Sequence, residues 1–225
     1  MVTTMQLTDA FQEASNILAQ DMSVTAEFAP YRDLKVRWTR TIGMASFSVS
    51  DYLQDAPMEV IEGIARRIFC RIANSESNGY PKETEEWLTS EEFRDLNQET
   101  YIKRSRTISD ADTTRLVDSY QRLIDDGLVK PIEGLKLFWT EDSRSDSNPG
   151  QSSCLMRVVI MNGRLNSSDV PDDVLDYCLL KQLANINVDF GTETLERKNE
   201  IETMINMFPR ADEARHWLED AEMEA

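Results

Sequence analysis

Asp169-Val170-Pro171-Asp172-Asp173-Val174-Leu175-Asp176-Tyr177-Cys178-Leu179-Leu180-Lys181-Gln182-Leu183-Ala184-Asn185-Ile186 is the stretch that decides the fold. Pro171 suits the first turn of a helix, where no N–H partner is needed, and the acidic residues beside it complement the positive end of the helix dipole. Val174, Leu175, Cys178, Leu179, Leu183 and Ile186 recur at helical spacing, which predicts one buried face. The last turns of this helix are polar, with Lys181, Gln182 and Asn185.

Self-similarity extends the reading over the whole chain. Asp55-Ala56-Pro57-Met58-Glu59-Val60-Ile61-Glu62 echoes the opening of the deciding stretch at a distance of 114 residues. Leu34-Lys35-Val36-Arg37-Trp38-Thr39 is likewise echoed by Leu135-Lys136-Leu137-Phe138-Trp139-Thr140, 101 residues on. The 13 extra residues are assigned to an inserted loop that includes Glu141 to Gly150, rich in Ser, Asp, Asn, Pro and Gly. The pattern predicts two tandem related halves, 1–110 and 111–225, each running helix, strand, strand, helix and packed as one globular unit. Expected helices are Thr8 to Met22, with Thr8 or Asp9 as cap, and Asp112 to Gly127; expected strands are the two echoed segments, then Ala45 to Val49 and Met156 to Met161. Trp38 and Trp139 are expected as equivalent core anchors. Between the halves, Glu83 to Asn97 reads as helix with a restart at Thr89-Ser90-Glu91-Glu92, and Tyr101 to Arg106 as a solvated strand or loop.

The Val170-Pro171-x-x-Val174-x-Asp176-Tyr177 opening resembles the active-site helix of the SprT-like and YgjP-like zinc metallopeptidases, where such an opening leads into H-E-x-x-H. Phe208-Pro209, Glu213-Ala214 and Trp217-Leu218 resemble that family's tail. The resemblance implies an α+β, zincin-like (minigluzincin-like) fold. In the family, two histidines at i and i+4 share a helix face and hold zinc while the intervening glutamate acts as general base. Here the family-equivalent positions are Lys181, Gln182 and Asn185, and the third ligand falls near Arg197. A protonated lysine offers no lone pair, glutamine takes no proton, and asparagine is a poor zinc ligand. In the first half the matching positions are Arg67, Ile68 and Arg71. The expectation is a degenerate, non-catalytic member with no metal and no cofactor, acting as a protein-binding module or a subunit of an intracellular assembly. A hydrolase of departed mechanism is the alternative.

Composition bounds the remaining readings. The 225 residues carry a net charge of −17, with 12 basic and 18 acidic side chains in residues 1–110 and 12 and 23 in residues 111–225. That field opposes nucleic acid and anionic membranes unless a local patch overrides it. Such a patch is available in Arg66, Arg67 and Arg71 with Lys103, Arg104 and Arg106, which keeps anion or nucleic-acid binding as a further alternative. No long apolar run or leader pattern is visible, so a soluble, cytoplasmic protein without a membrane partner is expected. The cysteines Cys70, Cys154 and Cys178 lack C-x-x-C spacing; Cys70 and Cys178 read as buried small hydrophobes. One histidine, His216, cannot build a two-histidine zinc site and reads as a surface group. Asp189, Glu193, Glu196 and Glu200 read as a charged helix surface rather than a hard-cation site. Lys181 is expected either to pair in a buried site with Glu196 or Glu200, or to snorkel to solvent.

Overall fold

The computed structural model describes residues 1–18, 22–73, 79–105, 108–141, 147–188, 190 and 194–223. The chain is mixed α+β, and it divides into two compact units, Met1–Tyr101 and Ile102–Ala225. The division falls inside the last turn of a helix rather than at residue 110.

In the first unit, helix α1 (Thr4–Ile17) starts at a capping box in which Thr3 and Gln6 satisfy one another's backbone N–H groups. Thr8, expected as the cap, does something else: its hydroxyl accepts from Ala26 N and donates to Ala26 O, both at 3.1 Å. Gln12 accepts from Val24 N at 2.9 Å and donates to Met22 O at 3.1 Å. These two side chains occupy the free edge of strand β1 (Ser23–Ala29), which would otherwise expose unpaired backbone groups. β1 lies in the stretch where the sequence reading continued the helix to Met22 and then omitted a strand, although Val24, Ala26 and Phe28 alternate with polar residues.

Strands β2 (Val36–Thr41) and β3 (Met44–Ser50) form a hairpin whose two-residue turn ends on Gly43 at φ +73°. The sheet order is β1-β3-β2, with β1 parallel and β2 antiparallel to β3. Helix α2 (Met58–Ile72) follows, and Phe11, Phe47 and Phe69 bring α1, β3 and α2 together with ring centroids 4.8 to 6.5 Å apart. Helices α3 (Lys82–Thr89) and α4 (Glu91–Arg104) break at Ser90, whose hydroxyl accepts from Phe93 N. The restart is where the sequence placed it, but α4 runs on through Tyr101–Arg104, which was expected as strand or loop. Tyr101 is buried, and Lys103 and Arg104 stand in the last turn, where cations complement the dipole.

The second unit contains β4 (Ile108–Ser109), α5 (Thr114–Asp125), β5 (Lys136–Thr140), β6 (Gly150–Ser153), β7 (Val158–Met161), α6 (Asp172–Asn187), α7 (Thr194–Asn206) and α8 (Ala211–Asp220). The sheet order is β4-β5-β7-β6, with β5 parallel and β6 antiparallel to β7. Gly127, at φ +70°, follows the end of α5 as its spacing predicts.

Both units therefore contain a run of helix, three strands and helix (α1-β1-β2-β3-α2 and α5-β5-β6-β7-α6), with the first and third strands of the run parallel and the second antiparallel to the third. This correspondence corrects the Leu-Lys-x-x-Trp-Thr echo. Its first copy lies on β2, an edge strand, and its second on β5, which sits between two neighbours, so the two are not equivalent. Trp38 is 43% exposed while Trp139 is fully buried, and the expectation of matched anchors fails for that reason. By topology Ser23 corresponds to Lys136, Met44 to Val158 and Pro57 to Pro171, displacements of 113, 114 and 114 residues. No separate 13-residue insertion is required. Gly150, at the edge of the expected loop, opens strand β6.

Candidate functional site

Helix α6 is held at its start by Arg115 of α5, which donates to the carbonyls of Leu165, Ser167 and Val170 and to Asp172 at 2.5 to 3.1 Å. One turn on, Asp176 is nearly buried. It accepts from Arg122 Nε at 2.8 Å, Arg122 Nη2 at 2.7 Å and the Ser119 hydroxyl at 2.5 Å. The Asp176 hydrogen bond is the main cause of the raised Arg122 pKa. Tyr177 faces the other way, its ring 5.7 Å from Phe208 and its hydroxyl accepting from Arg215 Nε at 3.0 Å. The Asp-Tyr pair of the motif thus ties α6 to α5 on one side and to α8 on the other. Phe208, Ala214 and Leu218 of the tail are buried in the same core.

The polar end of α6 forms a different cluster. Asn185 donates to the Ser152 hydroxyl on β6 at 3.1 Å, while Arg197 Nη2 on α7 donates to Asn185 Oδ1 at 2.8 Å and to its carbonyl at 2.5 Å. The structure thus brings together Asn185 and Arg197, two residues 12 positions apart that the sequence resemblance had singled out. Arg197 Nε is buried without a hydrogen-bond partner among the described residues. Gln182 lies over Gly150, where a Cβ would stand 2.8 Å from Met161 Sδ and 3.4 Å from Gln182 Cγ; β6 approaches α6 because Gly150 has no side chain. Sequence reasoning missed Ser152 as a partner; a hydroxyl in a polar segment gives no signal of what it will meet.

Lys181 is half-buried with Nζ 5.8 Å from the centre of the Tyr177 ring, within cation–π range. Glu196 and Glu200, the acids offered to it by the sequence, are exposed on α7. Beside it, burial pushes the Cys178 thiol up to about 12, against the opposing influence of Lys181. Burial also raises Cys154, with the Arg197 charge acting the other way. Cys70 is half-buried.

These residues do not fit zinc. Asn185 Oδ1 already accepts from a guanidinium, and a fixed cation within hydrogen-bond distance repels a dication. Among the described residues no group of three or more His, Cys, Asp or Glu side chains is placed to hold a metal ion. Asp189 and Glu193 of the acidic set lie outside the described residues. His216 is 77% exposed, with Glu219 and Asp220 each just under 4 Å away.

The basic patch is divided between the units. Arg66 and Arg71 are exposed and Arg67 half-buried on α2, where Arg67 and Arg71 face Tyr80, whose pKa burial raises. Lys103 and Arg104 belong to the second unit by its bounds, and Arg106 lies outside the described residues. No described helix is long and apolar enough to cross a membrane. Comparison with protein-family models, curated proteins and solved structures gives no match to this chain.

Proposed function

We propose that this chain is a non-catalytic relative of the zincin-like metallopeptidases, built from two related halves, that binds another protein or serves as a subunit of an assembly. The observation that carries the reading is the Arg197–Asn185–Ser152 cluster at the positions where the resemblance places metal ligands. The side chains at two of those positions, Asn185 and Arg197, are engaged with each other, and Asn185 also with Ser152. The shared order and orientation of strands in the two units supports the two-halves part of the reading. Further support comes from Asp176 and Tyr177, which join α6 to its neighbours, so the retained part of the motif serves packing.

Two measurements test it. Purified protein is expected to carry no stoichiometric zinc and to show no chelator-sensitive hydrolysis of peptides; stoichiometric metal with such turnover overturns the reading. Native co-purification is expected to yield a defined partner that elutes with the chain at fixed ratio, and a chain isolated alone from its native source counts against it.

A further inference from the structure

A groove of about 230 Å³ runs between α1 and α2 in the first unit, with Pro81 at its side. Its apolar floor is made by Ala10, Ala14 and Gly63, all buried, and Ile17 stands at its lip, 64% exposed. Three carboxylates, Glu13, Glu59 and Glu62, line it against a single guanidinium, Arg66. All four charged groups are exposed, and none forms an ion pair with another described residue.

The second unit shows what these carboxylate positions hold when they are filled. Pro57 and Pro171 are the N-caps of α2 and α6 with nearly identical backbone angles, so Glu59 and Glu62 correspond to Asp173 and Asp176. Each of those aspartates meets an arginine of its own unit: Asp173 pairs with Arg210, and Asp176 takes a two-pronged contact from Arg122 on α5. Helix α1, which packs on α2 as α5 packs on α6, contains no lysine or arginine at all. The first unit keeps the acids, but α1 supplies no base to them, and Arg66 of α2 itself forms no ion pair with a described residue.

We propose that the α1–α2 groove receives an arginine side chain from a partner protein, its aliphatic stem on Ala10, Ala14 and Gly63 and its guanidinium between Glu59 and Glu62. A planar fork of donors suits paired carboxylates better than a point charge does, and its stem is apolar enough for the floor. The partner surface is thus basic, which matches the strongly negative charge of this chain. The inference rests on the protein-binding reading for its biological meaning. The zinc and turnover measurements test that reading, whereas the experiment below tests only the groove.

The full chain is titrated, at about 150 mM salt to screen long-range attraction, into a fluorescent alanine-rich peptide bearing two arginines. A second titration uses its citrulline twin, in which each guanidinium becomes a neutral urea group of similar shape. Saturable binding of the arginine peptide is expected, weakened about tenfold or more by citrulline and by the pair Glu59→Gln and Glu62→Gln. The pair Glu92→Gln and Asp95→Asn removes the same charge from the exposed face of α4 and is expected to leave affinity unchanged. Glu13→Arg supplies an arginine from the chain itself and is expected to abolish peptide binding while preserving the thermal melting temperature. Equal weakening by both pairs, equal binding of the citrulline twin, or no saturation below about 1 mM peptide-binding sites overturns the proposal.

Discussion

The central strands of the two units occupy the same place in the same topology and bury themselves differently. In β3, Met44-Ala45-Ser46-Phe47-Ser48-Val49-Ser50, Ala45, Phe47 and Val49 are buried toward the helices, while Met44 and Ser46 stand in solvent on the other face. In β7, Val158-Val159-Ile160-Met161, all four residues have zero exposure. An alternating strand makes a sheet with one wet face, and a continuous apolar strand makes one buried on both. The same contrast is found on the helices. Gly63 of α2 corresponds to Tyr177 of α6: at Gly63 a methyl group would overlap the Thr84 hydroxyl, so α3 packs tightly there, whereas Tyr177 fills the place and reaches Phe208 and Arg215. One topology thus accepts a glycine against which a helix packs closely or a tyrosine that makes ring and hydrogen-bond contacts of its own.

Trp38 and Trp139 give the most demanding test of this comparison. Trp139→Ala is expected to cost about 3 to 5 kcal/mol in urea unfolding, because it empties a fully buried site and strands the Asp112 carbonyl that Nε1 now serves. Trp38→Ala is expected to cost about 1 kcal/mol, since its ring lies at a sheet edge, stacked on Phe47 but 43% exposed. Equal losses would restore the equivalence that the strand topology denies.

The acid positions come next. Asp176→Ala is expected to destabilise by about 3 kcal/mol by leaving Arg122 without its partner, while Glu62→Ala, at the matching exposed position, stays within about 0.5 kcal/mol. A large effect at Glu62 would mean that the first unit uses its carboxylate internally.

Alkaline titration sharpens the contrast in burial between the units. The Cys178 thiol keeps its proton in the folded chain up to about 12, whereas the unfolded chain loses it near 9.0. Its contribution to stability is therefore complete below 9.0 and declines as pH rises toward 12, by at most about 1.4 kcal/mol per pH unit. Cys178→Ala is expected to flatten that part of the stability curve. An unchanged slope would place the alkaline sensitivity elsewhere.

Lys181→Met is the smallest. The change is expected to alter stability by less than about 1 kcal/mol, the scale of a partly exposed cation–π contact with Tyr177. A loss several times larger would indicate a buried ion pair at this position.

Much of the fold was legible because it rests on local periodicity and chemistry. Pro171 and the spacing from Val174 to Ile186 determine a helix, Gly127 determines the end of α5, and Ser90 separates α3 from α4; the expected single buried face of α6 does not hold, because Val174 to Leu180 are all buried and the helix is enclosed on every side over those turns. The alternation in β3 and the apolar run in β7 also state how many faces each buries. The register of the repeat was not legible from short echoes, since Leu-Lys-x-x-Trp-Thr is a pattern that an edge strand and an inner strand both accept. Of the candidate site, the sequence showed the polar end of α6, with Lys181, Gln182 and Asn185. It did not determine that Arg197 would reach Asn185, or that Ser152 and Gly150 would close β6 against α6. Nor did it reveal that Arg122 and Arg210 answer the acids of α6 while Glu59 and Glu62 go unanswered on α2. Helical and strand periods arise from bonds a few residues apart and are written in consecutive residues. Ion pairs and clefts join side chains tens of residues apart, and only the packing of whole elements decides which of them meet.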